Sequence, residues 1–284
     1  MRLIDTVAAF RKELDADRAG GRSVGLVPTM GYLHDGHASL IRTSADERDL
    51  TAVTLFVNPL QFAANEDLST YPRDLERDIE IATRAGADVL FAPPVEQMYP
   101  DGVPVATTVT VAGPSEGYEG ASRPTHFAGV ATVVAKLFAI AGECRAYFGE
   151  KDYQQLVVLR RMARDLAFPV DVVGCPTVRE ADGLAMSSRN VFLSAEQRAA
   201  APVLHRALIA GRDAIERDGE RDPSAVVSVI TGVVAAEPLA ALDYTAAVRA
   251  DDLSVPTVLA GAVRLLIAAR FGTTRLIDNL GAAA

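Results

Sequence analysis

Tryptophan is absent, and cysteine and lysine are scarce: the 284 residues hold two cysteines, Cys144 and Cys175, and three lysines, Lys12, Lys136 and Lys151. Two thiols in apolar surroundings do not make a disulfide framework and suit a reducing compartment. No lysine follows a glycine, so the phosphate-cradling pattern G-x-x-x-x-G-K-[ST] is missing, as is G-x-G-x-x-G. Long apolar runs are also lacking; uncharged stretches such as Pro223–Ala236 fall short of the ~18 residues a membrane span needs. Met1–Ala19 mixes Leu3, Ile4, Val7, Phe10 and Leu14 with charges at helical spacing and has no signal-type apolar block. It is expected to form an amphipathic surface helix, in a cytoplasmic protein. Basic residues number 28 against 37 acidic ones, a formal charge of −9, which works against non-specific binding to nucleic acid or an anionic membrane. An anionic ligand must therefore meet a locally positive site.

What is present is material for a large core: 49% apolar residues and 23% charged, in a chain longer than the roughly 100 to 200 residues of one domain. Short β-branched runs at Val24–Val27, Thr51–Val57, Val89–Phe91, Ala146–Phe148 and Val170–Val173 read as buried strands. Helical patterns at Leu40–Glu47, Leu75–Ala85, Val130–Ala141 and Gln154–Leu166 separate them, which predicts an α/β doubly wound parallel sheet. After a loop near Cys175–Arg189 the texture changes to two helices, Ala195–Arg217 and Pro223–Ala236, and strands Tyr244–Val248, Arg264–Ala269 and Thr274–Asp278. The expected division is residues 1–176 and a smaller α+β C-terminal domain, residues 177–284, ending in a frayed alanine-rich tail.

Ligands of such sheets sit beyond the carboxyl ends of the strands, where the unusual residues of this chain fall. After the first of these strands, His34 and His37 flank a glycine ahead of a helix expected to begin near Ala38, so two imidazoles stand where free helix N–H groups attract phosphate. Zinc binding would require a further ligand, and two histidines packing a turn is the structural alternative. After the next strand come Asn58 and Gln61, amides suited to an uncharged polar substrate, or else an ordinary Asn-Pro turn with Gln61 in solvent. Lys151 follows a later strand and can neutralise phosphate; the alternative is a solvated lysine beside a capping Asp152. Ser187, Ser188 and Arg189 form a donor-rich arm, and Ser194 with Gln197 supplies a separate helix cap.

Five blocks in order resemble the pantothenate synthetase family, the pantoate and beta-alanine ligases of the wider HxGH nucleotidyltransferase superfamily. They are Met30 to His37, Phe56 to Phe62, Arg123 to Val130 with His126 and Gly129, Phe148 to Leu156, and Met186 to Asn190. The resemblance spans essentially the whole chain. It implies a Rossmann-like domain binding ATP and pantoate, a C-terminal lid, and a cytoplasmic homodimer; the acidic charge and the lack of a basic appendage argue for no nucleic-acid or membrane partner. Pantoate would attack ATP to give pantoyl adenylate and pyrophosphate, and beta-alanine would then displace AMP. By the same resemblance Met30, Gly31, Tyr32, Leu33, His34, Asp35, Gly36, His37, Gly149, Glu150, Lys151, Asp152, Val178, Met186, Ser187, Ser188 and Arg189 would hold ATP.

Gln61 and Gln155, with Asn58 beside them, would hold pantoate, and Gln61 would also lie near beta-alanine. His34, His37, Lys151, Ser187, Ser188 and Arg189 would stabilise phosphate charge, with His37 protonating the leaving group. The superfamily's K-M-S-K-S loop here reads Ala185-Met186-Ser187-Ser188-Arg189, which shifts phosphate neutralisation toward Arg189 and Lys151. Magnesium would ride mainly on ATP. Asp78 is either a helper for that ion or a solvated helix carboxylate. A cofactor adenylyltransferase and a non-catalytic nucleotide sensor are the competing readings.

Overall fold

The structure is a computed structural model of the chain and describes residues 1–62 and 71–284. It divides into two compact units, Met1–Gly149 with Gln154–Pro176, and Glu150–Tyr153 with Thr177–Ala284.

In the first unit the β-branched runs form six parallel strands, β1 (Arg2–Ile4), β2 (Val24–Thr29), β3 (Leu50–Leu55), β4 (Val89–Phe91), β5 (Cys144–Gly149) and β6 (Val170–Cys175), in the order β1-β4-β3-β2-β5-β6. This is the expected doubly wound, Rossmann-like sheet. The order reverses between β2 and β5, which pair at Gly25 with Arg145 and Leu26 with Ala146. The crevice beyond the carboxyl ends of these two strands is the topological switch point. Helices α1 (Val7–Ala19), α2 (Asp35–Glu47), α3 (Leu75–Ala85), α4 (Val95–Met98), α5 (Tyr118–Ser122), α6 (His126–Ala141) and α7 (Tyr153–Asp165) accompany the strands, α7 starting at the edge of the second unit. α6 buries most of its length, as an almost uniformly apolar helix must.

Two expectations change here. Met1–Ala19 is not one helix: Arg2–Ile4 pairs with Val89–Phe91 as an edge strand, and Thr6 caps the helix that follows by accepting from the Ala9 amide. A three-residue strand has no periodicity of its own; its partner lies far away in sequence. The helix expected near Ala38 begins at Asp35, because His34 acts as its cap.

Leu33, Ile41, Val53, Leu90 and Tyr147 are fully buried in one cluster, so the residue just before the histidines is itself a core side chain.

The second unit packs α8 (Ala195–Ala200), α9 (Val203–Glu216) and α10 (Pro223–Ala235) with an antiparallel sheet, β7 (Ala241–Arg249), β8 (Ala262–Phe271) and β9 (Thr274–Ala283), in the order β7-β8-β9. Its core joins Leu204, Leu208, Ile215, Ile230, Leu265, Ile267 and Phe271. The single helix expected over Ala195–Arg217 is two, broken at Ala201 and Pro202, since proline lacks the N–H that would continue the ladder. The alanine-rich end is not frayed: Ala282 and Ala283 pair with Val263 and Ala262. Among the described residues no helix is long and apolar enough to cross a membrane.

A Cβ added at Gly25 would stand 2.0 Å from the Ser44 hydroxyl oxygen, which is bonded to Thr51 at 2.8 Å. Gly25→Ala is expected to lower stability by about 1 to 3 kcal/mol, seen as a lower urea midpoint with unchanged slope.

Candidate active site

The chain leaves β2 in a turn that only a few contacts could hold. Thr29 donates its hydroxyl to the Thr54 carbonyl at 2.7 Å and accepts from the Gly31 amide at 3.2 Å. Gly31 (φ 84°) and Tyr32 (φ 51°) then adopt left-handed backbone, a conformation that glycine tolerates and tyrosine does not favour. What holds Tyr32 there is Asp78 on α3. Its two carboxylate oxygens accept from the Tyr32 amide at 2.8 Å and the Leu33 amide at 2.6 Å, and Arg77 lies over the Tyr32 ring at 5.0 Å. Asp78 is 2% exposed. Burial pushes its carboxyl above the usual range, and the Leu33 and Tyr32 amides oppose that push. Asp78 is thus not a solvated helix carboxylate, and both its oxygens are engaged by backbone amides.

His34 and His37 cap α2 reciprocally. His34 Nδ1 accepts from the Gly36 amide at 3.1 Å, and His37 Nδ1 accepts from the His34 amide at 3.3 Å. The rings lie 4.0 Å apart, centroid to centroid. A neutral imidazole that accepts at Nδ1 carries its hydrogen at Nε2, so the cap makes both Nε2 atoms donors. The Gly36 amide is spent in the cap and does not remain for phosphate. Asp35 is exposed in the first turn, the end of a helix that favours a carboxylate.

The second pair of sequence candidates meets this turn. Gln61, 8% exposed, donates Nε2 to the Met30 sulfur at 2.7 Å, so it is not the solvated turn residue of the alternative reading. Asn58 donates its Nδ2 to Gln61 Oε1 and to the Gly129 carbonyl, both at 3.1 Å. With 1% exposure and its amide engaged internally, Asn58 supports Gln61 instead of offering itself to a ligand. His126 Nδ1 and Arg123 reach the Gln61 carbonyl at 3.1 and 3.4 Å. Gly129 is a packing requirement, since a Cβ there would stand 2.2 Å from the Leu60 carbonyl oxygen. Gln155 is half-buried in the first turn of α7, and Gly149 ends β5 opposite Cys175.

The second unit organises its own candidates. The 3-10 turn Glu150–Asp152 is held by Asn279 of β9, whose Nδ2 donates to the Glu150 and Lys151 carbonyls, each at 2.8 Å. Arg264 of β8 donates to the Glu150 carboxylate at 2.8 Å and lies 3.6 Å above the Tyr153 ring. Lys151 is only 17% exposed and pairs with Asp152 at 3.5 Å, which replaces the picture of a solvated lysine. In the arm, Met186 donates its amide to the Val178 carbonyl at 3.0 Å, and Arg179 binds both oxygens of Asp278 at 2.7 and 2.9 Å. Ser187 accepts from the Arg189 amide at 3.2 Å and so caps the 3-10 turn Ser188–Phe192, a local duty that Ser194 and Gln197 do not relieve. Ser188 is half-buried and Arg189 exposed. Among the described residues no group of three or more His, Cys, Asp or Glu gathers as a metal cage, zinc included.

The family model described as pantoate-beta-alanine ligase matches residues 2–281 of this sequence. The chain belongs to the pantoate-beta-alanine ligase family. It is 53% identical to a pantothenate synthetase of Moorella thermoacetica, over 99% of this chain and 98% of that one, and 52% identical to one of Agrobacterium fabrum, over 98% and 95%. Among solved structures, pantothenate synthetase from Thermus thermophilus superposes with a TM-score of 0.91 at 51% identity, covering 99% of both chains. The Francisella tularensis ligase, solved with beta-gamma ATP and beta-alanine bound to that protein, superposes at 0.78 with 32% identity, covering 99% of this chain and 97% of that one.

Within this ligase, sequence reasoning passed over Asn279, Asp278, Arg179 and Arg264, and of its two readings of Asp78 the solvated helix carboxylate is overturned by burial. Nothing local marks them, because each acts on a segment distant in sequence. Asp78→Ala is expected to cost about 1 to 3 kcal/mol for each of the two amides left without an acceptor. Hydrogen exchange at Tyr32 and Leu33 should accelerate in step; unchanged protection would show that the carboxylate is not the clamp.

Proposed function

We propose that this chain is an ATP-dependent ligase that condenses (R)-pantoate with beta-alanine to pantothenate through a pantoyl adenylate, releasing AMP and pyrophosphate. The observation that carries the reading is the reciprocal histidine cap at the switch point of the sheet, in a member of this ligase family. The cap presents two Nε2–H donors side by side, and such donors stabilise charge that builds on phosphate oxygens during transfer.

The chemistry follows from the weakness of a carboxylate as an acyl donor. The pantoate carboxylate attacks the α-phosphorus and pyrophosphate departs; the amine of beta-alanine then attacks the activated carbonyl and AMP departs. Both steps need position and charge stabilisation more than covalent help from the protein. Gln61, with Nε2 resting on a weak sulfur acceptor, has a donor for a pantoate oxygen, and Gln155 supplies the second amide. Met30 to His37, with Gly149, Glu150, Asp152, Val178 and Met186, hold ATP. His34, His37, Lys151, Ser187, Ser188 and Arg189 stabilise the phosphates, and His37 protonates the leaving group from Nε2 in its imidazolium form, in which Nδ1 carries a hydrogen and releases the His34 amide.

The domain assignment follows: residues 1–176 bind ATP and pantoate and residues 177–284 act as a lid. Magnesium enters with the ATP oxygens, since both Asp78 oxygens are already engaged by backbone amides. The buried thiols Cys144 and Cys175 support a reducing cytoplasm, and the family resemblance supports a homodimer.

An assay with pantoate, beta-alanine and ATP, each omitted in turn, tests the reading. Pantothenate, AMP and pyrophosphate should appear only with all three present over many turnovers. An adenylyltransferase would keep the nucleotide in its product, and a sensor would form no amide. Within the same assay His37→Gln is the informative variant, because glutamine at the third helical position preserves a capping box while removing the imidazole, which can transfer a proton as an amide cannot. It should slow single-turnover pantoyl adenylate formation by roughly 10²- to 10³-fold with little change in the unfolding midpoint. Wild-type adenylate formation by this variant would remove His37 from the chemistry.

A further inference from the structure

Tyr99 lies outside every motif considered above, just beyond α4, yet its hydroxyl ends in the substrate-side amide network. It is 4% exposed and donates to Asn58 Oδ1 at 2.8 Å, the oxygen that also accepts from the Leu60 amide at 3.3 Å. The ring is fixed from two sides. Phe56 meets it edge-on, with centroids 5.9 Å apart, and Lys136, tied to the Met98 carbonyl, places its ammonium 5.6 Å from the ring centroid.

Following donors and acceptors along this chain decides which end of Gln61 faces outward. With Oδ1 receiving both the Leu60 amide and the Tyr99 hydroxyl, and the Gly129 carbonyl taking one Nδ2 hydrogen, Asn58 turns its other Nδ2 hydrogen to Gln61 Oε1. Gln61 then has its oxygen engaged by Asn58, and its Nε2 is left on the Met30 sulfur. Thioether sulfur is a weak acceptor, so an oxygen of an incoming ligand can take its place at gain. Were the Asn58 amide reversed, its oxygen would face the Gly129 carbonyl oxygen and its nitrogen the Leu60 N–H, two like-with-like contacts. Gln61 would reverse with it and present a carbonyl, which repels a carboxylate and serves a hydroxyl only as acceptor.

We propose that Tyr99 is a positioning residue for pantoate: through Asn58 it holds Gln61 with the amide nitrogen, not the carbonyl, turned to the substrate. This rests on the ligase reading above. Burial pushes the Tyr99 hydroxyl well above its ordinary pKa, so it stays a donor throughout the neutral range. A buried hydroxyl thereby sets the polarity of the amide proposed to face the substrate.

Tyr99→Phe removes the hydroxyl and keeps the ring. The wild-type protein and this variant are compared by steady-state kinetics in each of the three substrates, with unfolding midpoints measured alongside. The variant should raise KM for pantoate about five- to tenfold, the equivalent of one lost hydrogen bond, and leave KM for ATP within about twofold. A merely destabilised protein loses active molecules and so lowers kcat without discriminating between substrates. Asn58→Asp, which turns the Nδ2 donor into an oxygen against Gln61 Oε1, should raise the same KM further. A pantoate KM within twofold of wild type in Tyr99→Phe, or an equal rise for ATP, would overturn the relay. Failure of the wild-type protein to make pantothenate would instead strike the ligase reading itself.

Discussion

The two hydrogen bonds that Asp78 accepts from the Tyr32 and Leu33 amides are the constraint on which the histidine turn depends. Left-handed backbone at Tyr32 costs energy, and burying a carboxylate costs more, yet each resolves the other. The carboxylate would be intolerable in the core without two N–H donors, and the strained turn would relax without a fixed acceptor. Leu33, fully buried in the core cluster beside them, prevents the turn from rotating away. Once the turn is set, His34 has no choice but to cap α2, and its partner His37 closes the cap from the first turn of the helix. The tautomers of both imidazoles follow from that closure, so the donors proposed for phosphate are set by helix-capping chemistry.

The same economy governs the amide side. Buried polar groups must be paired, and Asn58 pairs all of its capacity internally, with Tyr99, Leu60, Gly129 and Gln61. The result is a donor at Gln61 resting on the Met30 sulfur, an arrangement that is satisfied on its own and improves when an oxygen arrives. Gly129 belongs to this device, because any side chain there would push α6 off the Leu60–Gln61 backbone.

In the second unit a two-residue stretch of β9 does comparable work. Asp278 binds the Arg179 guanidinium at the root of the arm, and Asn279 binds the carbonyls that flank Lys151. Bidentate guanidinium–carboxylate pairing has fixed geometry, and a planar amide donating to two carbonyls has little freedom either. The arm carrying Val178 and Met186 to Arg189 and the turn carrying Lys151 are therefore built from one strand. A chain with only three lysines thus places one of them, Lys151, in a turn whose backbone it cannot easily leave.

The alternation of β-branched runs and helical patterns determined the parallel sheet, and the spacing of His34, Gly36 and His37 at the end of a strand marked the turn where we propose that the chemistry lies. These features are legible because strand and helix periodicity and the ends of elements are local properties of a chain. Tertiary structure decided the rest. The edge strand Arg2–Ile4 exists because β4 is there to pair with it, and the pairing of Ala282 and Ala283 exists because β8 is. Asp78, Tyr99 and Asn279 act on backbone and side chains 46, 41 and 129 residues away, and no local pattern can announce a hydrogen bond across such a separation. The groups proposed to react could be named from the sequence; the groups that orient them could be named only once the chain had folded.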